Sequence, residues 1–398
     1  LLPAVIDSMG SAYPELEEQA PGIRTILQGE EEQFREVFQK GIVRLKSLLK
    51  EPRDGIFPGA LGFELHDTYG FPVDITQVVV EEAGLRFDHV GYQAAMDEQR
   101  SRAREFSAIT GDIFSASSAG ILQSGGLEAT EFLGWDQDEV PAIVLCILKG
   151  EEQIPSLESG EFGAVVLDKT PFYPEGGGQV GDQGSLVDSK GKVLFEVSDT
   201  QSAHPFVLHL GDAAGSLKVG QEVLAKISVS LRRATEIHHT ATHLLHSAMK
   251  EVLGDAVRQA GSLVSKEKLR FDYTTEQAPT SEERKRIEEL VQSEILKASP
   301  LATSFSTLKA ARAAGVISLF GEKYADEVRV VNVPGFSQEL CGGTHVGNTG
   351  AIGLFMILSD RSLAAGVRRM EAVAGPTAFS AWAEDRACLD GIESKLKV

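Results

Sequence analysis

The spacing of hydrophobic residues predicts helices in the first third of the chain. Residues 30–50 place Phe34, Phe38 and Leu45 near helical spacing, with acidic residues in the first turn and a lysine at the end. This spacing and this order of charges are typical of an amphipathic α-helix. Residues 61–84 contain a Gly-Phe-Pro break, so we expect two short helices there. The polar, charged segment 91–108 predicts another helix.

After about residue 128 the pattern changes to short hydrophobic runs separated by Gly, Asp and Pro. Runs of this length and spacing predict the strands of a small antiparallel β-barrel. The runs are 142–148, 163–168, 185–197 and 205–210. Between the second and the third lies segment 172–184, which holds five glycines, three of them consecutive. It is either a flexible loop or a place where another backbone or a ligand comes close.

From residue 231 onward helical and strand patterns alternate, which predicts an α+β sheet domain. Thr280 and Glu283 have the spacing of a capping box, so a helix should begin there. The predicted elements are a helix over 234–252, a strand over 269–273, a helix over 281–298, a strand and short helix over 301–314, and later strands.

These patterns predict a multidomain α+β fold with a helical N-terminal domain, a small β-barrel and an α/β sandwich. The Ser- and Gly-rich segment 115–126 is the expected first boundary. We place the domains at 1–128, 129–228 and 229–380, with the start of a linker helix at 381–398.

The composition is that of an ordinary globular protein, with 42% hydrophobic and 24% charged residues in 398. No apolar run is long enough for a transmembrane helix, and the first residues do not have the pattern of a signal peptide. Three cysteines are too few for a disulfide framework, so we expect a cytoplasmic protein, or one from an organelle. The chain does not begin with Met, and we expect it to be part of something longer.

The net charge of −20 argues at first against a nucleic-acid partner. All the acidic excess lies in the first 220 residues, however, and residues 221–398 hold 22 basic and 22 acidic residues. Basic groups in that part are candidate phosphate contacts, although each is more often a solvated surface. They are Arg232 with Arg233, Lys266 with Lys268 and Arg270, and Arg368 with Arg369.

Two histidine-containing segments predict a metal site. On a helix, His239 and His243 project from one face one turn apart, and His246 shares that face, whereas His238 points elsewhere. Far along the chain, Cys341 and His345 form a C-x3-H pair among glycines. One thiolate with three imidazoles suits tetrahedral zinc.

Other interpretations of these residues stay open. The spacing of 98 residues between His243 and Cys341 is too wide for a zinc finger, so the site should be a pocket in an already folded domain. Cys341 alone fits a buried free thiol. A catalytic Cys/His pair is also possible, although that chemistry does not need the extra histidines.

The motifs HTATHLLH (239–246) and ELCGGTHV (339–346) resemble the editing domain of alanyl-tRNA synthetases. Segments 172–184, 257–264, 321–331 and 364–375 resemble the same family in the same order. Segment 65–76, LHDTYGFPVDIT, resembles its helical tRNA-recognition domain. The similarity covers nearly the whole chain. The motifs of the aminoacylation domain are missing, so we expect no ligase activity from this stretch alone. Because the dimerising C-terminal domain is also missing, we expect a monomer.

The resemblance implies that His239, His243, Cys341 and His345 bind Zn²⁺ and that the chain binds alanine tRNA. It implies hydrolysis of alanine tRNA mischarged with serine or glycine, and it assigns Gln259 to the substrate pocket. Gly176, Gly177 and Gly178 fall on the family's glycine motif near that pocket, and Thr242 is a further candidate for binding the serine hydroxyl.

Three questions stay open at this point. Zinc either activates water or only positions the substrate, and no general base is assigned. The opposing hypothesis is a non-catalytic tRNA-binding fragment in which the zinc is structural, since a site closed by four protein ligands is typical of structural zinc.

Overall fold

The computed structural model divides the chain into two compact units, Leu1–Thr110 and Gly111–Val398. The predicted boundary segment 115–126 lies outside the described residues apart from Leu122, so the domain limits stay predictions. The structure describes residues 2–10, 13, 15–18, 20–50, 55–69, 71–96, 122, 127–150, 152–275, 277–318, 325–364 and 366–396.

The first unit is mainly helical, as its hydrophobic spacing predicts. Its helices are α1 (Leu2–Met9), α2 (Glu15–Glu18), α3 (Ala20–Leu48), α4 (Gly59–Tyr69) and α5 (Val73–Glu82). Strands β1 (Ile56–Phe57) and β2 (Arg86–Phe87) pair in parallel. The Gly-Phe-Pro break separates α4 from α5, so the two predicted short helices are confirmed. Of the predicted helix over 91–108, residues up to 96 are helical and the rest lie outside the described residues.

The core of this unit is built from large apolar side chains of the helices and of both short strands. Full burial of each such side chain contributes about 1.5–3 kcal/mol. The buried members are Leu45, Leu48, Phe57, Leu65, Phe71, Val80 and Phe87.

The second unit contains a closed β-barrel, which confirms the barrel predicted from the short hydrophobic runs. The predicted run 185–197 is two antiparallel strands joined by a turn, because residues 188–192 (Asp-Ser-Lys-Gly-Lys) reverse the chain. The strands of the barrel are β4 (Glu139–Lys149), β7 (Phe162–Leu167), β9 (Gly184–Val187), β10 (Val193–Ala203), β11 (Phe206–Ala213) and β13 (Glu222–Ile227). They follow the order β13-β9-β10-β11-β7-β4, and β13 also pairs with β4, so the sheet closes on itself. Closure leaves none of these six strands as a free edge. The remaining short strands are β3 (Glu131–Phe132), β5 (Glu152–Gln153), β6 (Ser156–Leu157), β8 (Lys169–Thr170) and β12 (Leu217–Lys218).

An α+β sandwich follows the barrel in the chain. Its antiparallel sheet has the order β14-β15-β20-β19, formed by β14 (Gln259–Val264), β15 (Leu269–Thr274), β19 (Phe355–Ala364) and β20 (Val367–Ala374). A second sheet holds β16 (Ala302–Thr307), β17 (Glu327–Val333) and β18 (Ser337–Leu340). The helices are α6 (Val229–Leu253), α7 (Ser281–Leu296), α8 (Leu308–Ala313) and α9 (Pro376–Leu396), with a 3₁₀ turn at Thr349–Ile352.

A local sequence signal fixes the start of α7. The side chain of Thr280 accepts from the amide of Glu283, and the Glu283 carboxylate accepts from the amide of Thr280, which confirms the capping box of α7.

Of the described helices, none is both long and apolar enough to cross a membrane.

Helix α6 lies in the centre of the sandwich and buries polar side chains as well as apolar ones. Ala241, Leu244 and Leu245 pack into the core beside Phe271 and Tyr273 of β15. The opposite side of α6 carries buried threonines and histidines. Buried polar groups need hydrogen-bonding partners, so this side must meet other polar groups.

A buried ion pair joins the first turn of α6 to the barrel. The Arg232 guanidinium donates through Nε to both carboxylate oxygens of Asp182 at 2.9 Å. Its other nitrogens donate to the carbonyls of Gly134 at 2.7 Å and Pro171 at 2.8 Å. The helix that carries the histidines is therefore fixed to barrel loops at its start.

Candidate metal site

The four predicted ligands converge on one point at the polar side of α6. His239 and His243 lie one turn apart on α6 with ring centroids 5.2 Å apart, and Cys341 and His345 lie on the turn after β18. The coordinating atoms of all four residues lie within 4.8 Å of one another. Cys341 Sγ is 3.4 Å from the Nε2 atoms of both His239 and His345. The structure thus brings together two segments that are far apart in the sequence.

The outer nitrogen of His239 is held by a residue of the barrel. Its Nδ1 lies 2.7 Å from Oε1 of Gln179, so it donates to that amide oxygen and presents Nε2 to Cys341. Gln179 is completely buried, and its amide group also bonds Thr344 twice, through the backbone NH at 3.0 Å and the hydroxyl at 2.9 Å. A side chain held at three points fixes the orientation of the ring that it contacts.

Glu339 contacts the outer nitrogens of two histidines, and its contact with His246 has hydrogen-bond geometry. Its Oε2 lies 2.8 Å from Nδ1 of His243, and its Oε1 lies 2.9 Å from Nδ1 of His246. The Nδ1 of the remaining ring, that of His345, lies 3.2 Å from the hydroxyl of Thr240. Oxygen partners on the outer nitrogens of ligand histidines fix the tautomer and orientation that metal binding requires.

The electrostatics of the cluster favour a thiolate at Cys341. Burial opposes ionisation of Cys341, but His239, His345 and His243 outweigh it and hold the pKa of the thiol well below its usual range. Burial and the neighbouring His239 lower the pKa of His345 to about 3. Burial would also lower the pKa of His243, but Glu339 and Cys341 outweigh it and raise that pKa to about 10.

The donor set fits zinc by its chemistry. It offers one sulfur and three imidazole nitrogens, a combination that Zn²⁺ binds tetrahedrally. The outer nitrogen of each ring lies within 3.2 Å of an oxygen atom, which leaves the other nitrogen for a metal. A site that merely packed histidines would not need this common arrangement.

The turn that carries Cys341 can hold only glycine at one position. A Cβ at Gly343 would lie 2.1 Å from Cε1 and 2.5 Å from Nδ1 of His239. Arg329 supports this turn from β17, since its guanidinium donates to the carbonyls of Cys341 at 3.0 Å and Gly343 at 2.8 Å. The glycines around the C-x3-H pair therefore let the turn approach the helix.

The cluster opens into a cavity of about 260 Å³. Its lining combines the ligand residues with polar groups of the barrel loop and of β14. The lining residues include Tyr173, Gly177, His239, Thr242, His243, Gln259, Ser262, Glu327, Arg329, Glu339 and Cys341.

The structure places the other predicted residues around this cavity in different ways. Thr242 and Gln259 both line it, and Gln259 Nε2 donates to the hydroxyl of Ser262 at 3.1 Å. Gly177 lines it as well, with φ +58°. Gly178 has φ +84° and lies against Ser262, whose Oγ would be 2.2 Å from an added Cβ. Gly176 bridges to Gln179 instead, so it shapes the loop and is absent from the lining.

The remaining two histidines of α6 lie where their helical positions predict. His246 bonds Glu339, beside the ligands. His238 points away from the cluster, and its Nδ1 donates to the carbonyl of Ser265 at 2.8 Å.

Three residues that orient the ligands were missed in the sequence: Gln179, Glu339 and Thr240. Each lies inside a segment that the sequence analysis quoted, Gln179 in 172–184, Thr240 in 239–246 and Glu339 in 339–346. Their position within these segments was the available signal, since an isolated Gln, Glu or Thr has no characteristic spacing.

Most of the basic groups considered as phosphate contacts are engaged in ion pairs. Arg232 is buried with Asp182, which rules it out as a surface contact. Arg368 pairs with Asp360, and Arg369 pairs with Asp272. Lys268 pairs with Glu371 and Arg233 with Glu236, while Lys266 and Arg270 lie 3.7 Å from Glu267 and 3.9 Å from Asp272.

Two protein-family profiles match different parts of the chain. The profile of tRNA synthetases class II (A) matches residues 1–231, and that of the threonyl and alanyl tRNA synthetase second additional domain matches residues 328–371. The chain is 45% identical over 382 residues to an alanine–tRNA ligase of Saccharophagus degradans, covering 96% of this chain and 43% of that protein. It is 42% identical over 399 residues to one of Pseudomonas syringae pv. tomato, covering 100% and 44%. The chain thus spans less than half the length of these relatives.

Proposed function

Because the chain belongs to the alanyl-tRNA synthetase family, we propose that it hydrolyses alanine tRNA mischarged with serine or glycine at a zinc site. The zinc ligands are His239, His243, Cys341 and His345. The observation that carries the proposal is the convergence of these four donors at a cavity. Cys341 and His345 also lie within the matched second additional domain, residues 328–371.

The residues around the cavity would select the amino acid. An alanine-sized pocket discriminates poorly against glycine and serine, so a second site that binds the serine hydroxyl adds specificity. The hydroxyl of Thr242 donates to the carbonyl of His238 at 2.8 Å, so its oxygen is an acceptor for a substrate hydroxyl. Gln259 lies in the same cavity with an amide carbonyl that can accept as well.

The orienting residues would keep the site rigid for an ester that is already activated. Gln179 and Glu339 hold their rings from outside, so His239 and His243 need no reorganisation when substrate enters. Zinc, when bound, supplies a positive charge that polarises a carbonyl oxygen or water. The side chains of this chain then position the ester and exclude bulk water, and we assign none of them as general base.

A non-catalytic fragment with structural zinc is the second candidate. The observation in its favour is that four protein side chains converge, which fills a tetrahedral site completely. In that case the zinc would hold the Cys341 turn against α6, and the chain would bind tRNA without releasing an amino acid.

Release of serine from serine-charged alanine tRNA by the zinc-loaded chain separates the two candidates. The first predicts multiple turnover by the wild type and its loss in Cys341→Ala with tRNA binding retained. Cys388→Ala is the matched control, because Cys388 is exposed on α9 and should not alter activity. Absence of serine release by the zinc-loaded wild type would exclude the hydrolase and leave the structural role.

A further inference from the structure

A group of aromatic side chains lies beside the Cys341 turn, outside the cavity. Trp135, in the turn after β3, donates through Nε1 to the carbonyl of Gly342 at 3.0 Å. Phe132 packs edge-on against Trp135 with ring centroids 5.1 Å apart, and Phe305 of β16 packs on it at 5.8 Å. Phe132, Trp135 and Phe305 are called the aromatic platform below.

Two rings of the aromatic platform are exposed, and Phe132 is half-buried. Trp135 is 42% and Phe305 59% accessible. Phe305 comes from the sandwich and Trp135 from the barrel, so two separate elements bring exposed rings to one place. Isolated exposed aromatic residues are ordinary, whereas rings in mutual contact beside a cavity indicate a binding surface.

The platform is continuous with the cavity through Arg329 and Gly342. Both line the cavity, and the Arg329 guanidinium carbon lies 5.1 Å from the centroid of the Trp135 ring. The same guanidinium holds the carbonyls of Cys341 and Gly343. A ligand that reaches the metal cluster and extends outward along this side would pass a cation and then the exposed rings.

Resting on the proposed function, we propose that the aromatic platform stacks the terminal nucleobase of the tRNA while its ester lies at the metal cluster. The ester is carried by the ribose of the last nucleotide, so the base of that nucleotide must lie beside the cavity. Unpaired bases bind proteins by stacking on aromatic rings and on arginine. Phe305 and Trp135 are thus positioning residues for the RNA end and take no part in bond cleavage.

Tryptophan fluorescence tests this contact without hydrolysis. The chain has two tryptophans, and Trp382 lies on α9, so Trp382→Phe leaves Trp135 as the only reporter. The zinc-loaded variant is titrated with an uncharged acceptor-stem RNA hairpin ending in CCA and with the same hairpin lacking the last adenosine. We expect saturable quenching by the complete hairpin and clearly weaker quenching by the shortened one. Equal quenching by both hairpins, or none, would overturn the proposal.

Variants of Phe305 separate stacking from a structural role. Phe305→Ala should weaken binding of the complete hairpin about tenfold, and Phe305→Tyr should restore it, with zinc content unchanged in both. The matched control is Phe379→Ala, since Phe379 is 61% exposed and packs on Trp382 of the same helix. Unchanged affinity in Phe305→Ala, or an equal loss of affinity in Phe379→Ala, would contradict stacking of the terminal base on the aromatic platform.

The two proposals fail in different ways. Stacking is measured with RNA that carries no amino acid, so it can be found even if no serine is released. In the opposite case, serine release with normal KM in Phe305→Ala would leave the hydrolase standing and overturn the platform.

Discussion

Gln179 Oε1 lies 2.7 Å from Nδ1 of His239, so a residue of the glycine-rich barrel loop fixes the first ligand on α6. Partners of this kind, when removed, typically reduce metal affinity about 10–100-fold. We therefore expect Gln179→Ala to lower zinc affinity by about that factor, measured by competition with a chelator.

Two further variants sharpen this test. Gln179→Glu keeps an acceptor for His239 but loses the donor to the Thr344 hydroxyl, so it should retain more affinity than Gln179→Ala. Gln201→Ala is the control, because the Gln201 side chain donates to Glu175 and Asp199 on the barrel surface, away from the cluster. Wild-type zinc affinity in Gln179→Ala would mean that the contact does not orient the ligand.

Gly343 should tolerate no side chain. In Gly343→Ala the new Cβ would meet the His239 ring at 2.1 Å, so either the ring or the Cys341 turn must move. We expect loss of zinc and of serine release. Gly347→Ala has open space around its Cβ and should bind zinc like the wild type, as determined by metal analysis after gel filtration. Equal zinc content in both variants would contradict the steric account.

The barrel should lose stability in acid because of His209. This ring is completely buried, donates from Nδ1 to the carbonyl of Val165 at 2.9 Å, and accepts at Nε2 from the Thr170 hydroxyl at 2.7 Å. Burial lowers the pKa of His209 from 6.5 to about 4, so the ring is neutral in the folded protein near neutral pH. The stability that the neutral His209 ring contributes is fully present above pH 6.5 and is lost as the pH falls from there towards about 4. The loss reaches about 2 kcal/mol at pH 5.

Urea unfolding at pH 7.5 and pH 5 measures that loss. His209→Gln should lose less stability between the two pH values than the wild type does. His204→Gln, which changes an exposed histidine, should lose as much as the wild type. An NMR titration that finds the His209 pKa near 6.5 would refute the prediction independently of any variant.

The buried pair of Arg232 and Asp182 should be sensitive to removal of one partner. Arg232→Met removes the charged partner of the buried Asp182 carboxylate, which keeps the Tyr173 amide as a donor, and it leaves two carbonyls without the guanidinium, which costs about 3–5 kcal/mol. The free energy of unfolding from urea titration is the measurement. Arg386→Met removes an exposed pair with Asp390 on α9 and should change stability by less than about 1 kcal/mol. Similar effects of the two substitutions would contradict the role assigned to burial.

The sequence predicted those features that repeat or that depend on residue type. Helical spacing predicted α6 and α7, and short hydrophobic runs between turn residues predicted the barrel strands. One cysteine and three histidines predicted the metal cluster, because few residue types bind zinc.

Features that depend on long-range geometry were beyond the sequence. The pairing of β13 with β4 closes the barrel, and no local signal in either strand specifies it. The bond from Trp135 to Gly342 joins residues 207 positions apart. The sequence indicated a surface position for Arg232, but the structure buries it against Asp182. Two adjacent basic residues in a sequence do not show which of them is buried.

The ligand rings are held from outside by the fold, and this has a consequence for assembly. The oxygen atoms at the outer nitrogens come from Gln179 of the barrel loop, Glu339 of β18 and Thr240 of α6. The barrel, β18 and α6 each contribute buried apolar side chains to a hydrophobic core. The chain should therefore reach its native shape before any ion arrives, unlike a zinc finger, which gains its folding energy from the metal. Protein from which a chelator has removed the zinc should keep its tertiary structure and should bind zinc again without refolding.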